Sequence, residues 1–328
     1  MIIENVSFPG GKHCETTTLG ALLRHVGIDL SEPMLFGLGA GLGFAYWDAK
    51  TMAFPFLGGR IKPAALTRNL ASRLGLTMQA QETTSVRAAW RNVAAAIDAG
   101  SPVGLQLDSY HLDYFTTRIH FGAHFVAMYG YDDTYAYLVE TAQQGGTVRT
   151  TRKSLELARG ERGSMTARNL SYTVAAAGGL PDLGEVVAAA IRSNASDFLN
   201  PPIANLGHRG IRKAAGQVTK WLERSADPRR DLTLAASLME RGGTGGALFR
   251  AMYRDFLGEC TTIVDDDNLR LGHRRYAEIA PLWTRVAAHI AAAGETGEEH
   301  HLRTAATILL DLAEREREAM QALAGVGP

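Results

Sequence analysis

Apolar residues recur along the chain in two rhythms, and the change of rhythm divides it. In 14–26, Leu19, Leu22, Leu23 and Val26 fall on one side of a helix, and Gly27 stands where a helix stops. Ser31-Glu32-Pro33 predicts a second short helix, with Ser31 as its cap and Pro33 in its first turn. A glycine-rich loop over 37–43 leads into a strand-like Phe44-Ala45-Tyr46-Trp47. Helical spacing returns over 63–74, stopping at Gly75, and over 85–99, stopping at Gly100, while 76–80 and 102–107 read as strands. From residue 125 the pattern becomes that of apolar, antiparallel strands. Segments 125–131 and 135–140 predict a hairpin around Asp132-Asp133-Thr134, followed by strands over 147–150 and 169–174. The expected fold of this part is α+β, with helices packed on a largely antiparallel sheet.

Ala175-Ala176-Ala177-Gly178-Gly179-Leu180-Pro181 reads as a linker. Beyond it the spacing is helical throughout, over 183–199, 205–224, 228–241, 245–258, 276–293 and 298–323. The expected domains are therefore 1–175 and an all-α domain over 176–328.

Composition narrows the function classes. The chain has 328 residues with 34 basic and 34 acidic side chains, a net charge of zero. Division at residue 175 leaves 16 basic and 14 acidic residues before it and 18 and 20 after it. Neither part is a basic arm, so nucleic acid is not an expected partner. No apolar run reaches the roughly 18 residues of a spanning helix, and residues 1–8 lack the pattern of a signal peptide. A cytoplasmic protein without a membrane partner is expected. Only Cys14 and Cys260 are cysteines, too few for a disulfide framework or a thiolate zinc site.

The two thiols differ in setting. Cys14 follows Gly10-Gly11-Lys12-His13 and opens the first helix, where unpaired N–H groups and the helix dipole favour a thiolate. The backbone N–H groups of Cys14 and Glu15 could hold the oxyanion formed when such a thiolate attacks a carbonyl. Cys260 lies behind the 245–258 helix and reads as a packing residue. Of ten histidines, His124 is the best base, held at the start of a buried strand in Phe121-Gly122-Ala123-His124-Phe125-Val126. His120 is the alternative. His13 is adjacent to Cys14 and should diverge from it, and His300-His301 read as solvated helix residues.

A base needs an acceptor that fixes its tautomer. Glu140, at the end of the second hairpin strand, is the first candidate, and Asp108, ending strand 102–107, is its rival. A two-residue turn at 132–133 would put positions 124 and 140 on opposite faces of the sheet. A three-residue loop over 132–134, or a bulge, makes them diagonal neighbours on one face. Asp108, Tyr110 and His120 are also candidates for binding substrate, as are Gly39 and Gly41, whose backbone could lie close to it or to the first helix. Tyr46, Tyr114 and Phe115 could line a pocket. Gly37, Gly39 and Gly41 do not form the dinucleotide fingerprint, and no strand precedes them. His120 and His124 are not spaced as zinc ligands on a strand, and Asp265-Asp266-Asp267 reads as a solvated helix end. No metal is expected.

Lys12-His13-Cys14-Glu15, the run Ser31-Glu32-Pro33 through Phe44, Pro102-Val103 with Asp108 and Tyr110, and His120 through Val126 with Gly130-Tyr131-Asp132 together resemble the N-terminal domain of the butirosin-biosynthesis acyltransferase (BtrH-type) family. That family is similar in fold to papain-like and C39-type cysteine peptidases. Gly243-Thr244-Gly245-Gly246-Ala247-Leu248-Phe249-Arg250 and Leu282-Trp283 resemble the uncharacterised helical domain that often follows it. The resemblance implies acyl transfer from an acyl-carrier-protein thioester through a cysteine to an amine, with Cys14 as nucleophile and His124 as base. C39-type enzymes usually carry Asp or Asn as third member; here Glu140 occupies the matching stretch. The expected partners are a carrier protein, whose phosphopantetheine arm brings the acyl group, and a small amine acceptor. No separate cofactor is expected, and a homodimer is an allowed assembly. The alternatives are a hydrolase of thioesters or amides with the same three residues, and an inactive binding module.

Overall fold

The computed structural model describes residues 1–49, 52–116, 118–163, 165–176 and 178–327. In chain order the elements are α1 (Cys14–His25), α2 (Glu32–Leu38), β1 (Leu42–Trp47), β2 (Phe56–Arg60), α3 (Ala65–Arg73), β3 (Leu76–Gln81), α4 (Val86–Asp98), β4 (Val103–Leu107), β5 (His124–Tyr131), β6 (Tyr135–Val139), β7 (Thr147–Thr151), α5 (Arg152–Gly160) and β8 (Ser171–Ala176). Helices follow: α6 (Leu183–Leu199), α7 (Gly207–Val218), α8 (Trp221–Arg224), α9 (Pro228–Arg241), α10 (Arg250–Cys260), α11 (Asp267–Thr296) and α12 (Glu299–Leu323).

The contacts divide these elements into two units, 1–35 with 63–180, and 36–62 with 181–328. This differs from the expected boundary at 175. The hairpin β1–β2 precedes most of the sheet in sequence but packs with the helices. Asn194 Nδ2 donates to the Leu42 carbonyl at 2.7 Å, and Asn205 Nδ2 to that of Tyr46 at 2.8 Å. Phe44 meets Trp283 with ring centroids 5.6 Å apart. Gly59 lies so close to the Leu248 carbonyl that an added Cβ would stand 2.4 Å from it. Ala177, in the expected linker, lies outside the described residues.

The first unit is α+β, as expected. Its sheet has the order β3-β8-β4-β5-β6-β7, and every neighbouring pair is antiparallel. Val103, Leu105 and Leu107 of β4 and Val126 and Met128 of β5 share one buried cluster with Val93 and Ile97 of α4 and Leu155 and Ala158 of α5. Phe125 and Ala127 point the other way and are also fully buried. Helix α1 packs along β5. Ser85 caps α4 by accepting from the Ala88 N–H, and Ser31 accepts from that of Met34.

The β5–β6 hairpin decides the site. Near its turn Tyr131 faces Ala136 and Gly130 faces Tyr137. Continued unbroken, that register would set residue 140 opposite 127 and leave His124 on the other face. Tyr129 is a bulge, however, and beyond it Met128 faces Leu138 and Ala127 faces Val139. Residue 140 therefore comes opposite Val126, and His124 becomes its diagonal neighbour on the same face. The Asp132 side chain holds the turn, accepting from the N–H groups of Thr134 and Tyr135 at 2.8 and 2.7 Å.

In the second unit β1 and β2 pair antiparallel, and α11 and α12 form a long hairpin. Asp266 caps α11 by accepting from the Leu269 N–H at 2.8 Å, so the acidic run 265–267 is a helix start. Helix α11 begins nine residues before the expected 276.

Candidate active site

Cys14 is the first residue of α1 and is buried, 8% exposed. The N–H groups of a first helical turn have no acceptor within the helix. The approach to Cys14 is held by Glu32. Its carboxylate accepts from the N–H groups of Lys12 (2.9 and 3.0 Å) and His13 (2.8 Å) and from the Thr16 hydroxyl (2.9 Å). Burial pushes the Glu32 carboxyl above its ordinary range, against the lowering effect of these bonds. Gly11 passes close to Thr17 and Phe8, where a Cβ would collide with the Thr17 hydroxyl. The Gly11 carbonyl accepts from the Ala142 N–H at 2.8 Å, which joins the nucleophile loop to the end of β6.

His124 is 6% exposed and lies near the Cys14 side chain, which acts to raise its pKa. Its Nε2 lies 2.5 Å from Glu140 Oε2, which leaves Nδ1 as the nitrogen for sulfur. The Cys14 sulfur also lies 3.9 Å from the Ala123 carbonyl oxygen. Glu140, 1% exposed, has a partner for each oxygen. Oε2 also accepts from the Tyr114 hydroxyl at 3.1 Å, and Oε1 from the Thr141 N–H at 2.6 Å. Phe115 closes on the imidazole edge-on, with centroids 5.2 Å apart. Burial, with the nearby Glu140 charge, raises the Tyr114 phenol well above its usual range.

For His124, burial acts to lower the pKa. The charge of Glu140, the Cys14 side chain and the hydrogen bond to Glu140 outweigh it and raise it to about 10. A folded-state pKa above the unfolded value of about 6.5 stabilises the fold fully below 6.5 and loses that contribution as pH rises through about 10. The thermal midpoint of the wild type should therefore exceed that of Glu140→Gln by a margin that narrows from pH 7 to pH 10. A margin constant over that range would mean that His124 is neutral beside Glu140.

Of the two carboxylates weighed for orienting the base, Glu140 is the one that touches His124. Asp108 turns to the segment that follows it. Its Oδ1 accepts from the N–H groups of Tyr110 (2.9 Å) and Phe121 (3.2 Å), and its Oδ2 lies 3.3 Å from His120 Nδ1. His120 is half-exposed and stacks on Tyr110, centroids 4.0 Å apart. The Glu15 side chain is buried away at α3, accepting from the Thr67 N–H and hydroxyl at 3.1 and 2.9 Å. Gly39 and Gly41 belong to the second unit, where Gly41 lies against Phe36. The role of Glu32 had no signal in the sequence, because its partners, two backbone N–H groups and the Thr16 hydroxyl, lie 16 to 20 residues away.

A cysteine on a helix N-terminus, a histidine on an antiparallel strand and a carboxylate behind it define a cysteine-dependent enzyme of the acyltransferase and peptidase type. Residues 13–141 match the family described as butirosin biosynthesis protein H, N-terminal, and residues 153–323 match a domain of unknown function, DUF4872. The DUF4872 match spans more than half of the chain, which therefore belongs to that family, and its N-terminal part is similar to the butirosin family, as the sequence motifs implied. None of the curated proteins matches it. Among solved structures it is similar to a Bacillus anthracis protein classed as a C39-like peptidase, with 17% identity over 53% of this chain and 97% of that one. The TM-score of that likeness is 0.36. Among the described residues no helix is long and apolar enough to cross a membrane.

Proposed function

We propose that the chain is a cysteine-dependent acyltransferase that moves an acyl group from a carrier-protein thioester to an amine. The observation that carries this reading is the relay from the Cys14 thiol through His124 to the buried Glu140 carboxylate. The sulfur of Cys14, its proton held by His124, attacks the thioester carbonyl, and N–H groups of the first turn of α1 donate to the developing negative oxygen. The intermediate collapses with loss of the pantetheine thiolate, which takes the proton from His124, and an acyl-enzyme remains. An amine then attacks that carbonyl and gives its proton to His124. The amide leaves as the Cys14 sulfur departs and is reprotonated. Glu140 keeps the imidazole in one orientation through both halves. Among the candidates for substrate contact, Asp108 could offer its charge to a cationic acceptor.

Incubation with an acyl-pantetheine thioester, with and without a primary amine acceptor, tests transfer against hydrolysis. Amide is expected whenever the amine is present. Free acid alone in both mixtures would replace this reading with a thioesterase.

A further inference from the structure

The segment between β4 and β5 brings together a second group of side chains, separate from the Cys14 relay. His111 and His120 lie near its two ends, and Glu161 reaches them from just behind α5. One ligand-type atom from each of the three lies within 4.8 Å of the other two. His111 Nε2 and Glu161 Oε2 are in direct contact at 2.5 Å. Both side chains are partly covered, 20% and 27% exposed, whereas His120 is 58% exposed. The residues come from three places in a span of fifty positions, so chain proximity does not explain their meeting.

We propose that His111, His120 and Glu161 bind a divalent transition metal of the zinc class, which ties together residues on either side of Tyr114 and Phe115. The donor set is two imidazoles and one carboxylate, which suits zinc with water in a fourth position and does not suit magnesium or calcium, which take oxygen ligands. Zinc bonds of about 2.0–2.1 Å in a tetrahedron place ligand atoms about 3.3 Å apart. His111 and Glu161 need only part slightly, the ion replacing the proton between them, and half-exposed His120 swings in. Two features already hold His120 for this task. Asp108 accepts from its Nδ1, as carboxylates do behind metal-bound histidines, and Tyr110 stacks on its ring.

Between the two histidines stand Tyr114, whose hydroxyl donates to Glu140, and Phe115, whose ring meets His124. A metal joining His111 to His120 and both to Glu161 closes this stretch into a loop anchored at its base. Its expected effect is to hold Tyr114 and Phe115 against the dyad.

Zinc titration by calorimetry of the full-length Cys14→Ala protein tests this, because that background removes the competing thiol. One equivalent is expected with a dissociation constant of micromolar or below. His120→Ala and Glu161→Gln should each weaken it by about 10–100-fold or more, the loss typical even for outer partners of a metal ligand. His301→Ala, in the other exposed cluster of Glu298, His300 and His301, should leave it unchanged. Zinc should also slow hydrogen exchange of the amides of residues 112–116, and His120→Ala should remove that slowing. The proposal is overturned if His301→Ala abolishes the equivalent while His120→Ala keeps it, if no equivalent binds more tightly than about 100 µM, or if exchange at 112–116 does not respond to zinc. None of these readouts requires acyl transfer, so the proposal can fail while the Cys14 relay stands, and the reverse.

Discussion

Replacing Cys14 by alanine should abolish the covalent acyl adduct and lower turnover by about 10⁴-fold or more, because the variant keeps the fold of α1 but has no nucleophile. Intact mass after incubation with an acyl-pantetheine thioester reads the adduct, and product formation followed alongside it covers an acyl-enzyme too short-lived to accumulate. The second thiol cannot stand in. Cys260 is fully buried at the end of α10, and burial pushes its thiol well above the ordinary range. An adduct of the same mass on Cys14→Ala, or turnover within a few-fold of wild type, would remove the nucleophile assignment and favour an inactive binding module. Glu140→Gln should keep the adduct but form it more slowly. The amide can still accept a bond from His124, yet it lacks the charge that holds the imidazole protonated.

Glu316→Ala should cost about 3–5 kcal/mol of stability, the usual consequence of stranding a buried charge. Arg250 and Glu316 are both fully buried in the helical unit. The guanidinium donates to the two carboxylate oxygens at 2.9 Å each and to the Leu248 carbonyl at 2.8 Å. The Trp283 indole N–H donates to the same carboxylate at 2.5 Å. Removing the carboxylate leaves a cation with no counter-charge in the core. Replacing both partners, Arg250→Met with Glu316→Leu, should lose less than Glu316→Ala alone, since apolar side chains of similar size avoid the stranded charge. Urea unfolding of the two variants gives the comparison. A cost below about 1 kcal/mol for Glu316→Ala would mean that water reaches Arg250.

The ion pair also explains a conformation that no residue type announces. Ala247, Leu248 and Phe249 all have positive φ, at 51, 49 and 74°. Each such residue costs of order 1–3 kcal/mol, so surrounding contacts must impose the turn. Arg250 does so through the Leu248 carbonyl, and Phe249 stacks on Phe36 with centroids 5.2 Å apart. The two stretches by which the helical part resembles its family, 243–250 and 282–283, thus meet at one buried site. Their role visible in the structure is to hold the fold.

The local elements were largely legible in the sequence, because periodicity and capping act over a few residues. Helix α1 starts at Cys14 as expected, and α6 and α9 occupy their expected ranges. What was missed has identifiable causes. Strand β2 contains Gly58-Gly59, which reads as a turn until the close approach to Leu248 is known. The early turns of α11 carry Arg270, His273, Arg274 and Arg275, which obscure its apolar stripe. The helix expected from 245 starts at Arg250 because of the left-handed turn before it.

The sequence by itself determined which residues could carry chemistry: a cysteine at a helix start, a histidine opening a buried strand, and a glutamate ending the next one. The meeting of that histidine and glutamate was decided only by tertiary structure. A single extra residue at Tyr129 sets whether His124 and Glu140 share a face, since side chains alternate with a period of two. The placement of 36–62 with the helices, the Glu32 hold on the nucleophile loop and the His111–His120–Glu161 cluster have the same origin. Each joins groups distant in sequence, and such pairings are selected by packing and hydrogen-bond satisfaction across the whole fold.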